Sequence, residues 1–494
     1  MKPFYYFILI VFLCCGLASC RDFEEINESP NNPKETHPQL LLTQIEWDVF
    51  RSYQGTDPLY ANKMLVQTDG ENSSQYYKWT RGGFSFLSMR NVRKMTEEAE
   101  RINEKSYIAL GKFFRAYYFY SMTAQFGDIP YTEALKGESD AVYNPVYDSQ
   151  KTVFMGIIKE LEEAVELLKN ENTIIRGDII YDGSTDKWRR MINSFRLKIL
   201  LSLSRRESDS DLNVGSRFAA IVQNEPLMRD IQDNGQLVYL NQEGNRYPEF
   251  NSSGYGSGMY MDSTFIRRLQ DHKDPRLFVF CTQTKEAKEA GKALNDFTAY
   301  EGGDPAAPYG TVNEKATQGK VSKVLERYYQ DPTNEPSVLL GYSELQLILA
   351  EAVVRGWISG DANGYYQNGV KASFKFYETY AKGLGQFVDE AAASDYLAEP
   401  VNDLSQKTSP EEKIETILLQ KYFQSFLQGK WTPYFEMLRT GYPEYRRPLG
   451  VEIPFRWMYP QSEYDYNAQN VAEAIKSQFG EGNDKINQKT WWIK

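Results

Sequence analysis

Several segments of the chain carry apolar side chains at steps of three and four residues, the pattern of an α-helix with one buried face. The clearest stripes run from Val92 to Ile102, from Phe154 to Leu168 and from Trp188 to Leu203. A helix with one apolar stripe is not stable alone and has to pack against a neighbour. The sequence therefore predicts a mostly α fold of antiparallel helix pairs, only loosely similar to a tetratricopeptide array because no strict repeat is visible.

Local signals mark where some of these helices begin and end. Gly127 follows an aromatic-rich segment and Gly356 follows a segment that is apolar nearly all round, so each is expected to end a helix, Gly127 in a left-handed conformation. Ser409 and Glu412 have the spacing of a capping box, with Pro410 at the first helical position. A helix is therefore expected to begin at Pro410.

The middle of the chain has a different character. Residues 207–340 contain few long periodic runs and many Gly, Pro, Asn and Tyr residues. A compact domain seldom keeps so much irregular chain unless the loops are functional. The chain has 35 tyrosines, and a buried tyrosine hydroxyl needs a partner. We therefore expect much of the tyrosine on surfaces that contact other molecules.

The N-terminus indicates export and lipid attachment. Lys2 is followed by an almost unbroken apolar run, Phe4 to Leu17, and then by Ala, Ser and Cys20. The run is shorter than the roughly 20 residues of a membrane-spanning helix, and small residues before a cysteine are typical of a bacterial lipoprotein signal. We expect residues 1–19 to be removed and Cys20 to be acylated. The alternative is an ordinary signal peptide with a chance cysteine.

Residues 20–39 are expected to form a flexible tether, because they are acidic, rich in Asn and Pro, and without a period. Residues 40–494 are expected to form one domain. Removal of the signal leaves Cys281 as the only thiol besides Cys20, so the core and not a disulfide has to stabilise the fold. More than one fatty chain on Cys20 would give stable membrane attachment. The net charge of -11 disfavours nucleic acid as a partner.

The sequence lacks the residues that several common catalytic and metal sites require. His37 and His272 are the only histidines, so Ser-His-Asp, Cys-His and multi-histidine zinc sites are unsupported. Asp361 begins a segment similar to a calcium loop, but Ala372 occupies the position of the required glutamate, so a structural turn is the better interpretation. No cofactor or metal is predicted.

Two alternatives to a small-ligand binding protein stay open. A glycosidase needs only two suitably separated carboxylates, although Glu344 and Glu351, two turns apart on an apolar helix, are explained more simply by capping and buried pairing. The other alternative is a helical scaffold that binds only another protein, and the Tyr-rich and Gly-rich loops argue mildly against it.

Short sequence motifs along the whole chain resemble those of one family. The matching motifs are FGDIPYTEAL at 126–135, YDGSTDKWRRMINSFRLKI at 181–199, LILAEAVVRGW at 347–357, QKYFQSFLQGKW at 420–431, LRTGYPE at 438–444, IPFRWMYPQSEYDYN at 453–467 and the terminal Trp491-Trp492. With the lipoprotein signal and in this order, they resemble the SusD/RagB family of surface lipoproteins, nearer its SusD-like second branch. Leu438 departs from the pattern, since an arginine is common there, as does Thr432-Pro433-Tyr434.

The resemblance implies a fold and a role. It implies a tetratricopeptide-like helix-pair scaffold, mainly 40–206 and 341–440, that supports a loop-rich ligand-binding region, mainly 207–340 with the C-terminal segment. It also implies a protein without catalytic activity that captures oligosaccharides, or in some cases peptides. Such proteins deliver the ligand to a SusC-like TonB-dependent outer-membrane transporter. The acidic residues Asp22, Glu24 and Glu25 resemble signals for the outer surface, which implies lipid anchorage in the outer membrane, facing outward.

Two loops combine flat aromatic side chains with polar ones, as a sugar-binding surface requires. They are residues 69–86 and 245–260, at roughly the chain positions where the family places ligand contacts. The candidate ligand-binding residues are Asn72, Tyr76, Tyr77, Trp79, Arg81, Tyr247, Tyr255 and Tyr260. For each aromatic, packing within the loop is the alternative explanation.

Overall fold

The computed structural model describes residues 35–51 and 55–494. The expected signal peptide, the lipidation site Cys20 and the tether up to residue 34 lie outside the described residues. Within the described ranges, no helix combines the length and the apolar character needed to cross a bilayer.

The described chain is mostly helical, with four short strands. The N-terminal part contains α1 (Gln39–Arg51), α2 (Asp57–Ala61), β1 (Leu65–Gln67), α3 (Phe86–Arg101), α4 (Lys105–Phe126), α5 (Gly137–Asp140), α6 (Gln150–Leu168) and α7 (Thr185–Ser202). The middle part contains α8 (Val214–Asn224), β2 (Gly235–Leu237), α9 (Gly254–Ser257), β3 (Met259–Met261), α10 (Ser263–Asp271), α11 (Leu277–Phe280), α12 (Lys285–Glu289), α13 (Tyr309–Thr317), α14 (Arg327–Gln330) and β4 (Ser337–Leu340). The C-terminal part contains α15 (Tyr342–Val354), α16 (Ala362–Tyr380), α17 (Glu390–Ala398), α18 (Pro410–Gln424), α19 (Thr432–Thr440), α20 (Gln461–Tyr466) and α21 (Ala468–Phe479). The longest helices lie outside the middle part.

Helices that follow one another along the chain pack together, which confirms the predicted helix-pair scaffold. Helix α4 packs against α3 and α6, α6 also packs against α7, and α15 packs against α16 and α18. Contact between α7 and α15 joins the two groups. The predicted apolar stripes face these contacts, since Val92 and Met95 of α3 and Phe154 and Leu161 of α6 are buried. Ile102 is the exception: it lies just past the end of α3 and is 37% exposed.

The predicted helix boundaries are confirmed. Gly127 follows α4 with a φ of 92°, and Gly356 follows α15 with a φ of 74°, a region that residues with a Cβ rarely adopt. At the start of α18, Ser409 Oγ accepts a hydrogen bond from the backbone N–H of Glu412 at 3.1 Å. Glu412 Oε2 accepts one in return from the backbone N–H of Ser409 at 3.0 Å. Pro410 occupies the first helical turn, as expected.

The strands form two antiparallel pairs that join parts of the chain distant in sequence. In the first pair, Leu65 lies opposite Met261 and Val66 lies opposite Tyr260. In the second, β2 pairs with β4, and both contact helix α1. Each pair connects the middle part of the chain to the helical scaffold, so the loops of residues 207–340 are held at both ends.

A buried ion-pair network holds three of the scaffold helices together. Arg439 of α19 donates through Nη1 and Nη2 to both carboxylate oxygens of Glu351 in α15, at 2.6 and 2.9 Å. Arg439 also bonds Glu436, which accepts from Lys421 of α18 as well. Burial alone would raise the pKa of Glu436, but Arg439 and Lys421 hold it at about 2. Buried pairing of Glu351, suggested by the sequence, is confirmed.

The expectation that much of the tyrosine lies on contact surfaces is wrong for many of these residues. The sequence has 35 tyrosines, and nineteen of those in the described ranges are buried. Many of their hydroxyls find acceptors inside the protein, as Tyr77 does at Ala61 O (2.9 Å) and Tyr459 does at Asp128 O (2.7 Å). A tyrosine can therefore be buried at little cost wherever a backbone carbonyl lacks another donor. These side chains join elements that are far apart in sequence. The hydroxyls of Tyr247, Tyr255 and Tyr366 have no hydrogen-bond partner among the described residues.

Candidate functional site

The two loops predicted to form the site are adjacent in space. Strand β1 leads into residues 69–86, and strand β3 closes residues 245–260. Beyond the strand pair, the backbone N–H of Thr68 donates to Gly258 O at 3.0 Å. A Cβ at Gly258 would lie 2.5 Å from Asp69 Oδ2, so the two loops approach each other closely here. The β1–β3 ladder therefore fixes how the loops meet.

A third segment, residues 301–309, completes the surface. The buried Gln75 side chain accepts from the backbone N–H of Gln67 at 2.8 Å and donates through Nε2 to Pro305 O at 3.3 Å. Tyr76 donates its hydroxyl proton to Ala307 O at 2.8 Å. The first loop is therefore bonded to both β1 and the third segment.

The position of Tyr309 depends on a glycine. Gly303 lies between Val66 of β1 and Val312 of α13, where a Cβ would be 2.8 and 2.4 Å from their methyl carbons. This close approach seats helix α13 beside the strand pair, with Tyr309 at its first turn. Tyr309 is 40% exposed. It was not among the predicted site residues, although the paired glycines and two prolines near this aromatic residue could have indicated a functional loop.

Tyr77 and Trp79 lie beneath the surface. They are 3% and 8% exposed. The indole of Trp79 stacks on Trp457 with ring centroids 5.2 Å apart and an angle of 18°, and it meets Tyr434 edge-on at 5.4 Å. Both side chains therefore belong to an aromatic cluster that supports the first loop, the alternative that the sequence analysis left open for them.

The predicted tyrosines of the second loop fall into two groups, two that are buried and one that is partly exposed. Tyr247 and Tyr255 are almost completely buried, and Tyr255 stacks on Tyr329 with centroids 6.1 Å apart. Tyr260 is partly exposed, with Lys323 Nζ 5.4 Å from its ring centroid. It lies on the same face of the strand pair as its partner Val66, since paired residues of an antiparallel ladder share a face.

The remaining candidates have structural partners. Asn72 Oδ1 accepts from the backbone N–H of Gln75 at 2.9 Å, which shapes the turn, and the residue is partly exposed. Arg81 donates to Tyr459 O at 2.6 Å and pairs with Asp484 at 3.3 Å, so it ties the loop to the C-terminal segment. Tyr76 is only 6% exposed. A ligand contact at any of the eight residues stays a prediction.

Charged groups around the three segments are mostly paired. Arg446 donates to both oxygens of Asp304, at 2.7 and 2.6 Å, and these bonds lower the pKa of Asp304. Glu71 pairs with Lys78 at 3.0 Å in the first loop. Glu249 of the second loop differs, because burial raises the pKa of its carboxyl. Asp304 is therefore held ionised, and Glu249 is the carboxyl here that is easiest to protonate.

The structure shows no grouping of three or more His, Cys, Asp or Glu residues suited to a metal ion within the described ranges. Asp361 caps α16 by accepting from the backbone N–H of Asn363 at 3.0 Å. The segment predicted as a structural turn is therefore the N-terminus of a helix.

A separate cavity of about 90 Å³ lies inside the scaffold, lined by residues of α15, α16 and α18. Its polar side chains bond to protein groups. Ser343 donates to Gly369 O at 2.6 Å, and Gln428 donates to Glu335 at 2.7 Å and accepts from the backbone N–H of Val338 at 3.0 Å. These bonds make it a feature of helix packing, distinct from the loop surface.

Comparison with known proteins agrees with this architecture. The family model SusD-like_2, described as "Starch-binding associating with outer membrane", matches residues 30–460. The chain belongs to the SusD-like family. A solved SusD homolog from Bacteroides fragilis is 55% identical, with a TM-score of 0.89, over 93% of this chain and 100% of the other.

Two further solved structures extend the comparison. An outer membrane protein from Bacteroides vulgatus, for which nutrient binding is the expected role, is 54% identical, with a TM-score of 0.90, over 93% of this chain and all of its own. A chitin-binding SusD homolog from Flavobacterium johnsoniae is 20% identical, with a TM-score of 0.70, over 92% of this chain and 96% of its own. At that identity only the fold is shared. No curated protein sequence matches this chain.

Proposed function

We propose that this SusD-like protein binds an oligosaccharide at the cell surface without cleaving it and delivers it to a SusC-like TonB-dependent transporter. The observation that carries the proposal is the convergence of three loop segments, 69–86, 258–260 and 301–309, beside Tyr309, which is exposed, and Tyr260, which is partly exposed. Tyr260 and Tyr309 offer flat faces to the C–H surfaces of sugar rings. Asn72, Glu71 and Lys78 supply donors and acceptors for sugar hydroxyls.

Anchorage follows from the N-terminal sequence. We propose that Cys20 carries the lipid and that the residues after it form the tether. The predicted tether reached residue 39, but Gln39 is the first residue of α1 and the backbone N–H of Thr36 donates to Glu98 Oε2 of α3 at 3.3 Å, so the tether ends before Thr36. Family membership supports the outer membrane as the location, as does the similar protein from Bacteroides vulgatus. Asp22, Glu24 and Glu25 support the outward-facing leaflet. A tethered binding protein would stay beside its transporter while its ligand site is free to move.

Calorimetry on the mature chain, without the signal and lipid, tests the binding site. The panel contains malto-, xylo- and chito-oligosaccharides, acidic oligosaccharides and short peptides. For a glycan that binds, we expect Tyr309→Ala together with Tyr260→Ala to weaken affinity about tenfold, the equivalent of one stacking contact per ring. Tyr143→Ala is the control, because Tyr143 is 76% exposed outside the three segments.

Unchanged affinity in the double variant, with every bound glycan, would contradict this placement of the site. Peptide binding without glycan binding would favour the alternative of a peptide-capture protein. If neither class binds, the remaining alternative is a scaffold that contacts only proteins.

A glycoside hydrolase is the second candidate function, and Glu249 is the observation that favours it. A glycosidase needs one carboxyl with a raised pKa as its acid, and burial gives Glu249 that property. Each bound oligosaccharide is therefore incubated with the protein and its products are separated by size. We expect no shorter sugars. Cleavage that is lost in Glu249→Gln would replace the binding proposal with a hydrolase.

A further inference from the structure

A surface groove runs along residues 444–452, between α10 and the C-terminal segment. Three adjoining hollows of about 310, 730 and 500 Å³ form it. The first two share Arg268, and the last two share Arg447. We call it the arginine groove, after Arg267, Arg268, Arg446 and Arg447 on its walls.

The groove is positively charged on a protein whose net charge is -11. Its lining contains six cationic residues and three glutamates. Two of these nine are paired with residues outside the lining, Glu301 with Lys315 at 3.2 Å and Arg446 with Asp304 at 2.6 Å, which leaves five cations and two glutamates. Arg447 donates to backbone carbonyls, at 2.9 Å for Val451 O and 3.3 Å for Tyr445 O, so its charge has no carboxylate bonded to it among the described residues. An excess of positive charge therefore faces the groove.

Two guanidinium groups there have a donor without an acceptor, exposed on Arg267 and buried on Arg268. Arg267 is exposed and has no hydrogen-bond acceptor or ion-pair partner in the described part of the chain. Arg268 donates through Nη2 to Glu444 O, while its buried Nη1 has no acceptor among the described residues. A guanidinium matches a carboxylate or a sulfate with two parallel hydrogen bonds. The groove therefore suits a ligand that carries such anions.

The arginine groove meets the loop site at Arg446. This residue holds Asp304 of the third segment, which directly follows Gly303 and is close in the chain to Ala307, where the Tyr76 hydroxyl is bonded. A chain of sugars that covers the tyrosines can continue past Arg446 into the groove. Continuity with the loop site favours a glycan over a separate anionic partner.

We propose that the arginine groove binds the charged groups of an acidic oligosaccharide, with uronate carboxylates or sulfate esters lying against Arg267, Arg268 and Arg447. The inference rests on the proposed function and narrows its ligand class. Neutral sugars would use only the tyrosine surface. The attraction is partly exposed to solvent, so it weakens as salt is added.

The test uses calorimetry with four probes: a galacturonate tetrasaccharide, a heparin-derived tetrasaccharide, maltotetraose and chitotetraose. We expect one of the acidic probes to bind most tightly and to lose affinity as the salt concentration is raised. Arg267→Gln should weaken that binding about three- to tenfold, the value of one charge-assisted contact at a partly exposed site. Arg268→Gln added to it should weaken binding further.

Two other variants sharpen the result. Glu444→Gln removes an exposed carboxylate from the same groove, so it should tighten binding of the acidic probe. Arg90→Gln is the matched control, because Arg90 is 65% exposed on α3, far along the chain from the groove. If Arg268→Gln unfolds the protein, Arg267→Gln and Glu444→Gln still decide the question.

Tight binding of a neutral probe that is insensitive to salt and to Arg267→Gln would overturn the acidic ligand and leave the proposed function standing. Binding of a deca-glutamate peptide as tight as that of the acidic glycans, through the same arginines, would also overturn it in favour of an anionic protein segment. Failure of every glycan to bind would overturn the proposed function itself.

Discussion

The helical scaffold and the three-segment site are both held by buried polar contacts, but the groups that make these contacts differ. The scaffold contains buried ion pairs between helices, such as Arg439 with Glu351. In the site, the buried side chain that joins two of the segments is neutral, since Gln75 bonds the backbone at Pro305 O. An ion pair joins the surfaces of two helices, whereas a side-chain amide can bond to backbone groups of irregular segments. The difference indicates that the scaffold sets stability and the amide bonds set loop geometry.

The largest test of this comparison is Arg439→Met. It leaves Glu351 and Glu436 buried, with Glu351 losing its two-pronged partner, so the free energy of unfolding should fall by about 3–5 kcal/mol. Urea denaturation measures the loss. Arg446→Met is the matched control, because Arg446 makes the same two-pronged contact with Asp304 at a site where its side chain is 54% exposed. That exposed pair should be worth less than about 1 kcal/mol. Equal losses in the two variants would break the comparison.

A pH experiment examines Asp128, a scaffold carboxyl at the junction of α4 and α6 that has no cation bonded to it among the described residues. Asp128 is 8% exposed, and burial raises its pKa from the ordinary 3.8 to about 6. The unfolded chain therefore loses this proton at a lower pH than the folded chain, and stability is lost as the pH rises through about 6. Relative to Asp128→Asn, the wild type should lose about 2 kcal/mol between pH 4 and pH 7.

The amide introduced by Asp128→Asn can still accept from the backbone N–H of Gln150, which bonds Asp128 Oδ1 at 2.7 Å. Any change in stability is therefore due mainly to the charge. Denaturation curves of both proteins at several pH values give the difference directly. Parallel pH profiles would show that Asp128 is ionised without penalty and that paired charges are not required in the scaffold.

Apart from the control variants, the smallest expected effect on stability is in the site. Gln75→Ala removes the bonds to Gln67 N and Pro305 O, so the free energy of unfolding should fall by about 1–2 kcal/mol. Hydrogen exchange of residues 301–309 should become faster, because one of their bonds to the first loop is lost and the bond from Tyr76 to Ala307 O remains. Gln461→Ala, at an exposed position on α20, should change neither quantity. A fall in stability without faster exchange would mean that Gln75 supports the core and not the loop geometry.

Regular elements were predictable because their signals are local. The stripe on α6, the glycine that ends α15 and the capping box at Ser409 each depend on residues within one or two helical turns. The identity of the candidate site was less predictable. Both predicted loops do meet, but five of the eight candidate residues, Tyr76, Tyr77, Trp79, Tyr247 and Tyr255, are buried. Sequence gives the type of an aromatic residue and not which side of a loop it faces.

By itself, the sequence determined the helix-pair scaffold, the family and the two loops where a ligand site was expected. Helical periodicity and cap chemistry are properties of neighbouring residues, so they can be recognised from the sequence alone. The tertiary structure decided which tyrosines are exposed, that residues 301–309 join the site, and that Arg268 and Arg447, far apart in the chain, line one groove. Those features depend on strand pairing and on close approaches such as Gly303 between Val66 and Val312. Such contacts are made only when distant segments pack together.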